Sequence, residues 1–211
     1  MSPAPVNQPS SPRIAPLPRE LWGDDVRVAL SNAYSAEIAA RFFATGPDAI
    51  PTPTALGTLM HHPALAGPFL TYNNVLLQTP TLDPRMRELM ILRVAWRTHA
   101  PYEWAQHVRL AGRAGITADE VAAVAGEIDA DAWTPLEADL LAATDQLVDR
   151  YRVADETWAR LAQQLDERQL VELVFVVGTY TGLAMAFNSF GLQLDPELQE
   201  LAVPSFPEFE E

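Results

Sequence analysis

Residues 93–115 read RVAWRTHAPYEWAQHVRLAGRAG, and the folding of this stretch decides the rest. Apolar residues recur at spacings of three and four on both sides of Ala100-Pro101, so the segment predicts two helices joined by one short break, a helical hairpin. Working outward, the same spacing recurs along nearly the whole chain, and no segment alternates cleanly with period two. The predicted helices span 22–44, 54–61, 63–78, 84–98, 102–114, 117–127, 134–152, 155–165 and 167–191. Start and stop signals agree with these limits. Asp83-Pro84, Thr117 with Glu120, Thr134-Pro135 with Glu137, and Asp166 suit N-caps, while Gly115 and Gly191 suit helix ends. His61-His62-Pro63 reads as a capping junction between two helices. The expected fold class is all-α.

A chain of 211 residues, 48% hydrophobic, is enough for one sizeable core. Fourteen basic against 28 acidic residues give a net charge of −14, which repels phosphate backbones and anionic headgroups. Neither nucleic acid nor a membrane is therefore an expected partner. The last helix is apolar on nearly every face, which predicts burial at the centre or in a subunit contact, and with it a homo-oligomer. Glu172, Thr179, Thr181 and Asn188 interrupt it and speak against a membrane span. Residues 1–15 are rich in Pro and Ser and lack the basic start and continuous apolar run of a signal peptide, so they read as a disordered segment of a cytoplasmic protein. Residues 16–192 form the expected domain, and 193–211 an acidic tail. After Leu194, the residues Asp195, Glu197, Glu200, Glu208, Glu210 and Glu211 meet no basic residue and read as a solvated end.

Two absences bound the chemistry. With no cysteine there are no disulfides, thiolate nucleophiles or thiol peroxidase cycles. All fourteen basic residues are arginine, which removes any lysine Schiff base. Nor is there a glycine-rich phosphate loop or a G-x-S-x-G elbow. What remains is a set of polar residues among apolar helices. Glu88 sits within MRELMILRVAW on the stripe Glu88, Leu92, Ala95, which His99 continues if the helix persists; Arg85 or Arg87 could pair with it for purely structural reasons. On the next helix Glu103 and His107, at i and i+4, can touch, so that the carboxylate orients the ring and the pair shuttles a proton. Such pairs also occur on solvated helix faces with no function. Tyr102, Trp96 and Trp104 read as core or pocket wall. A metal held by Glu88, Glu103, His99 and His107 is read against, because the Glu-x-x-His dyads of helical carboxylate sites are missing, and no cofactor is expected.

The segments RIAPLPRELW, HHPALAGPFL, RMRELMILRVAWRTHAPYEWAQHVRLAGRAGI, WTPLEADLLAATDQL and LVFVVGTYTGLAMAFNSFGLQL carry a family resemblance over most of residues 13–192. The chain resembles the carboxymuconolactone decarboxylase family, whose fold is shared with the alkylhydroperoxidase D proteins. That resemblance implies an alkylhydroperoxidase D-like helical bundle around a central helical hairpin. The peroxidase branch carries a Glu, a Cys-x-x-Cys pair, and a His three residues after the second Cys. Aligned on Glu88 and His107, the thiol positions here are Ala100 and Glu103. By resemblance, Glu88 and His107 are the relay carboxylate and imidazole, Glu103 stands where the attacking sulfur was, and dithiol peroxide reduction is out of reach.

The decarboxylase branch acts on a γ-lactone carrying a carboxylate and implies proton transfer without a cofactor. The expected function is thus cofactor-free acid–base catalysis on a small lactone, carboxylate or enolisable carbonyl compound, by decarboxylase, lyase or isomerase chemistry. Glu88, Glu103 and His107 are the expected catalytic residues. Tyr102 is expected to bind substrate as a donor to an enolate oxygen, and His99 to line the pocket mouth. A non-catalytic small-molecule binder or assembly protein is the alternative, and a metal-dependent oxidoreductase the third reading. Counted from Ala100, Glu88 lies about 18 Å and His107 about 10 Å along their helices. An offset of roughly 8 Å favours a water bridge between them.

Overall fold

The hairpin's first arm is the centre of the molecule. In the computed structural model, which describes residues 11–128 and 132–199, every residue from Arg87 to Ala95 is buried. A helix gains burial on all faces only when neighbours surround it, and this one, α5 (Pro84–Arg97), packs most extensively against three others. These are α6 (Pro101–Ala111), the second arm of the hairpin, then α8 (Pro135–Arg150) and α10 (Glu167–Phe190). The other α-helices among the described residues are α1 (Asp24–Ala33), α2 (Ala36–Phe43), α3 (Thr54–Leu59), α4 (Pro63–Gln78), α7 (Ala118–Val124) and α9 (Asp155–Leu161). There is no strand among the described residues.

Apolar side chains gather in three large clusters. Met90, Ile91 and Val94 of α5 meet Leu140, Leu161, Leu173 and Val177; Leu89, Leu92 and Ala95 on its other side meet Trp104, Val124 and Leu141. Val26, Leu30, Phe42, Met60 and Leu70 close a separate cluster among α1 to α4. At about 1.5–3 kcal/mol for each large side chain removed from water, these clusters carry the stability. The charges inside α5 survive only because they are paired. Arg93 donates to both oxygens of Asp145 at 2.7 Å and to the carbonyls of Val124 and Gly126.

The caps predicted from sequence are in place. Thr117 with Glu120 and Thr134 with Glu137 form capping boxes, Asp83 accepts from the Arg85 amide, and Asp166 forms a box with Gln169. Gly115 and Gly191 take left-handed backbone at φ 74° and 65°. His62 caps α4 by accepting from the Leu65 amide.

Four expectations need correction. The helix over 22–44 is two helices, because Tyr34 is extended and the Ser35 hydroxyl accepts from the Ile38 amide and starts α2. The helix expected over 84–98 ends at Arg97, and because His99 has φ 50° the helix does not persist to carry the stripe from Glu88 through it. Within the segment read as disordered, the amides of Arg13 and Ile14 both donate to the Phe190 carbonyl; residues 1–10 lie outside the described residues. Asp195, read as part of a solvated tail, is buried with Leu198. Its carboxylate accepts from the Thr54 amide and hydroxyl at 2.7 Å and from Tyr102 and Gln106 at 2.8 Å. Glu200, Glu208, Glu210 and Glu211 lie outside the described residues.

Candidate active site

Glu88 reaches the site from the middle of α5 and His107 from the last turns of α6. His107 Nδ1 donates to Glu88 Oε2 at 2.6 Å, and both side chains are buried. The water bridge expected from sequence is thus a direct bond, and the reason lies in the linker. Residues 98–100 belong to neither helix, so the rise counts from Arg97 and Pro101 instead of from Ala100. Nine residues separate Glu88 from Arg97 and six separate His107 from Pro101, giving about 13.5 Å and about 9 Å. The offset falls to roughly 4.5 Å, which two long side chains span.

Glu88 is held as an anion. Burial alone would raise its pKa, but the His107 hydrogen bond and charge, with Arg87 beside it, outweigh that and bring it below the usual carboxylate range. Arg87 contacts Glu88 Oε1 at 3.3 Å, while Arg85 turns away to Glu120, Glu137 and the Gly115 carbonyl. With Nδ1 committed to Glu88, the free edge of His107 is Nε2, which no hydrogen bond among the described residues engages. The ring also meets Tyr180 edge-on, with centroids 5.1 Å apart.

Glu103 is the opposite kind of carboxyl. It is only 2% exposed, and neither oxygen has a hydrogen-bond partner. Burial pushes its pKa well above the usual range, so its neutral form is favoured. The expected hydrogen-bonded pairing of Glu103 with His107 is not made, because Glu88 takes the ring nitrogen. Tyr180 stands against the His107 ring, and its hydroxyl is pushed up, first by burial and then by the carboxyl groups of Glu103 and Glu88 when ionised, against a lowering by Arg87.

Tyr102 goes elsewhere. Its hydroxyl donates to Asp195 and accepts from Gln106 at 3.1 Å, and burial followed by the Asp195 charge raises its pKa. It latches the segment after α10 to α6. His99 is half-buried at the end of α5, and burial with the nearby Arg97 charge lowers its pKa. Tyr180 escaped the sequence reading. The signal was a hydroxyl-bearing side chain on the inward stripe Leu173, Val177, Tyr180, Ala184, Phe187 of a helix otherwise apolar at those positions.

Among the described residues no group of three or more potential ligands is arranged to hold a metal. The arrangement instead offers an imidazole oriented by a carboxylate and, on the same arm of the hairpin, a carboxyl that burial keeps neutral. The first can take up a proton and the second can give one.

Comparison with known proteins accords with this architecture. Residues 63–146 match the carboxymuconolactone decarboxylase family, a span that includes α4, the hairpin and most of α8. No curated protein matches the chain. An uncharacterized peroxidase-related protein from Ralstonia eutropha JMP134, with an alkylhydroperoxidase AhpD core, is similar at TM-score 0.70 and 17% identity, over 90% of this chain and 98% of that one. A variant of the debrominase Bmp8 in complex with 2,3,4-tribromopyrrole is similar at TM-score 0.67 and 13% identity, over 92% and 96%. A peroxidase-related protein from Silicibacter sp. TM1040 gives 0.64 and 12%, over 95% and 97%. At these identities the likeness is one of fold. Residues 63–146 thus carry the carboxymuconolactone decarboxylase family region, on an alkylhydroperoxidase D-like fold and in a chain without cysteine.

Proposed function

We propose that the protein is a cofactor-free acid–base catalyst acting on a small lactone, carboxylate or enolisable carbonyl compound. The observation that carries this reading is the buried Glu88–His107 hydrogen bond at 2.6 Å beside a buried carboxyl, Glu103, with two unpartnered oxygens. His107 Nε2 takes a proton from the carbon acid, and Glu88 stabilises the imidazolium that forms. The electron pair of the broken C–H bond moves onto the carbonyl oxygen, where the neutral Glu103 carboxyl donates a hydrogen bond or the proton itself. The imidazolium then returns a proton to carbon, completing an isomerisation. In a decarboxylation the C–C bond breaks instead, carbon dioxide leaves, and a protonated His107 supplies the proton to the carbanion. Tyr102, committed to Asp195, has no part in this scheme.

A panel of compounds of the right chemistry can stand in for the natural substrate. The full chain is incubated in deuterated water with lactone carboxylates and 2-keto acids, and deuterium uptake and carbon dioxide release are followed. The wild type is expected to accelerate one or both, and His107→Gln to lose on the order of 10²-fold or more. Equal rates in His107→Gln, with its circular dichroism unchanged, would overturn the assignment, as would a wild type that turns over nothing in the panel.

A further inference from the structure

We propose that Arg87 is the carboxylate anchor of the candidate active site: its guanidinium holds the carboxylate of an anionic substrate while the reacting carbon lies at His107. The inference rests on the acid–base reading of the same site and adds to it the charge of the substrate and the residue that selects it.

Two arginines are buried on α5, and they are in opposite states. Arg93, 4% exposed, is saturated: Nε and Nη2 each donate to one oxygen of Asp145 at 2.7 Å, and Nη1 donates to the carbonyls of Val124 and Gly126 at 2.7 and 2.6 Å. Arg87, 9% exposed, makes one hydrogen bond among the described residues, from Nη2 to Glu88 Oε1 at 3.3 Å, and its buried Nε has no partner. A guanidinium has five N–H donors and keeps its charge, so burying one on a single long bond is costly unless a ligand takes up the rest. A purely structural partner of Glu88 would close up as Arg85 does on Glu120 and Glu137, at 2.5 and 2.7 Å. The idle donors of Arg87 are the observation that carries the proposal.

The place of this guanidinium fits the role. One oxygen of Glu88 faces Arg87 at 3.3 Å and the other faces His107 Nδ1 at 2.6 Å. Two bonds and the width of one carboxylate therefore separate Arg87 from the imidazole, a span that a keto acid or lactone acid of a few carbons covers. Beyond burial, Glu103, Glu88 and Arg87 all act on the Tyr180 hydroxyl, so the three side chains lie around the phenol whose ring meets His107 edge-on. A two-ended ligand thus finds a cation for its carboxylate and, in the unpartnered Glu103 carboxyl, a donor for its carbonyl oxygen. The chemistry favours a carboxylate over a phosphate. Nε with a neighbouring Nη forms the planar fork that two carboxylate oxygens match, as Asp145 does on Arg93. A phosphate dianion brings a further charge, which the ionised Glu88 beside Arg87 opposes.

The test titrates the full chain with levulinate and paraconate, a keto acid and a γ-lactone acid, and with their methyl esters. Binding is read from the arginine Nε–H resonances by nitrogen-15 NMR, and Arg87→Lys, which lacks the Nε signal, assigns that of Arg87. The wild type is expected to bind at least one acid about 10-fold or more tighter than its ester, with the Arg87 Nε–H resonance shifting. Arg87→Met should bind acid and ester alike, and Arg87→Lys, which keeps the charge without the fork, should fall between them. For any acid that is turned over, Arg87→Met should raise KM far more than it changes kcat. Should Arg87→Met fail to fold by circular dichroism, the wild type and Arg87→Lys still decide. Equal binding of acid and ester by the wild type, an Arg87 resonance that no acid moves, or an unchanged preference in Arg87→Met would each overturn the proposal. So would a loss of kcat in Arg87→Met that is the same for acid and ester, which marks Arg87 as a brace for Glu88 alone. Acids held by Arg87 without any turnover would sink the acid–base reaction and keep the anchor, whereas turnover that treats acid and ester alike would sink the anchor and keep the reaction.

Discussion

Three glutamates occupy the same place in their helices and meet different fates. Glu120, Glu137 and Glu103 each stand three residues after an N-cap. Thr117 and Thr134 supply hydroxyls that draw the first two into capping boxes, whereas Ala100 supplies none. Glu120, hydrogen-bonded to Arg85, is lowered to about 2, while Glu103 is driven up by burial. A carboxyl whose folded pKa lies above its unfolded value favours folding fully below the unfolded pKa, and that contribution is lost as pH rises through the folded one. Replacing Glu103 with Gln removes the loss. Denaturant titrations should show Glu103→Gln gaining on the wild type above the ordinary value of 4.5, by up to about 1.4 kcal/mol per pH unit until the folded pKa is reached. A stability difference that does not change with pH would contradict this. The kinetic counterpart concerns the bonded pair. Glu88→Gln and His107→Gln should each cost on the order of 10²-fold, and the double variant little more than either, because they act as one unit. Fully additive losses would show that they act separately.

Among the elements, the helices and caps were legible because periodicity and cap chemistry are local. The N-caps Asp83, Thr117, Thr134 and Asp166 and the end glycines Gly115 and Gly191 could all be read directly. The break at Ser35 was missed because its flanks keep helical spacing on both sides. In the site, sequence brought forward Glu88, Glu103 and His107 but paired Glu103 with His107. Spacing along one helix is visible in sequence, whereas the distance between two helices depends on the linker, and the left-handed His99 shortened the offset. Tyr180 and Asp195 stayed hidden because their partners lie far away in the chain. Arg85 shows how elements are tied at that range: it binds Glu120 at 2.5 Å, Glu137 at 2.7 Å and the Gly115 carbonyl at 2.7 Å. Arg85→Ala should cost about 1–2 kcal/mol at neutral pH, since the side chain is partly solvated. Its effect should shrink in acid, as Glu120 protonates near pH 2. Urea unfolding of both proteins along the acid range measures this, and a constant difference down to that pH would count against it.

At the scale of the whole molecule, the fold holds its chemistry at one place, the hairpin walled by α10. With no cysteine anywhere in the chain, metal-free protein should not reduce organic hydroperoxides with a dithiol reductant, and coupled peroxide consumption checks this. What the hairpin offers instead is two carboxyl groups of opposite protonation, Glu88 ionised against His107 and Glu103 neutral. Carbon-13 NMR of side-chain carboxyls in the intact protein, from about pH 4 to about pH 9, reads both states at once. Glu88→Gln and Glu103→Gln assign the two resonances. Glu88 is expected to be ionised by the ordinary value of 4.5, and Glu103 to keep the chemical shift of a protonated carboxyl well past it. A Glu103 resonance that titrates at that ordinary value would contradict the assignment, because the site would then hold two carboxylates and no acid.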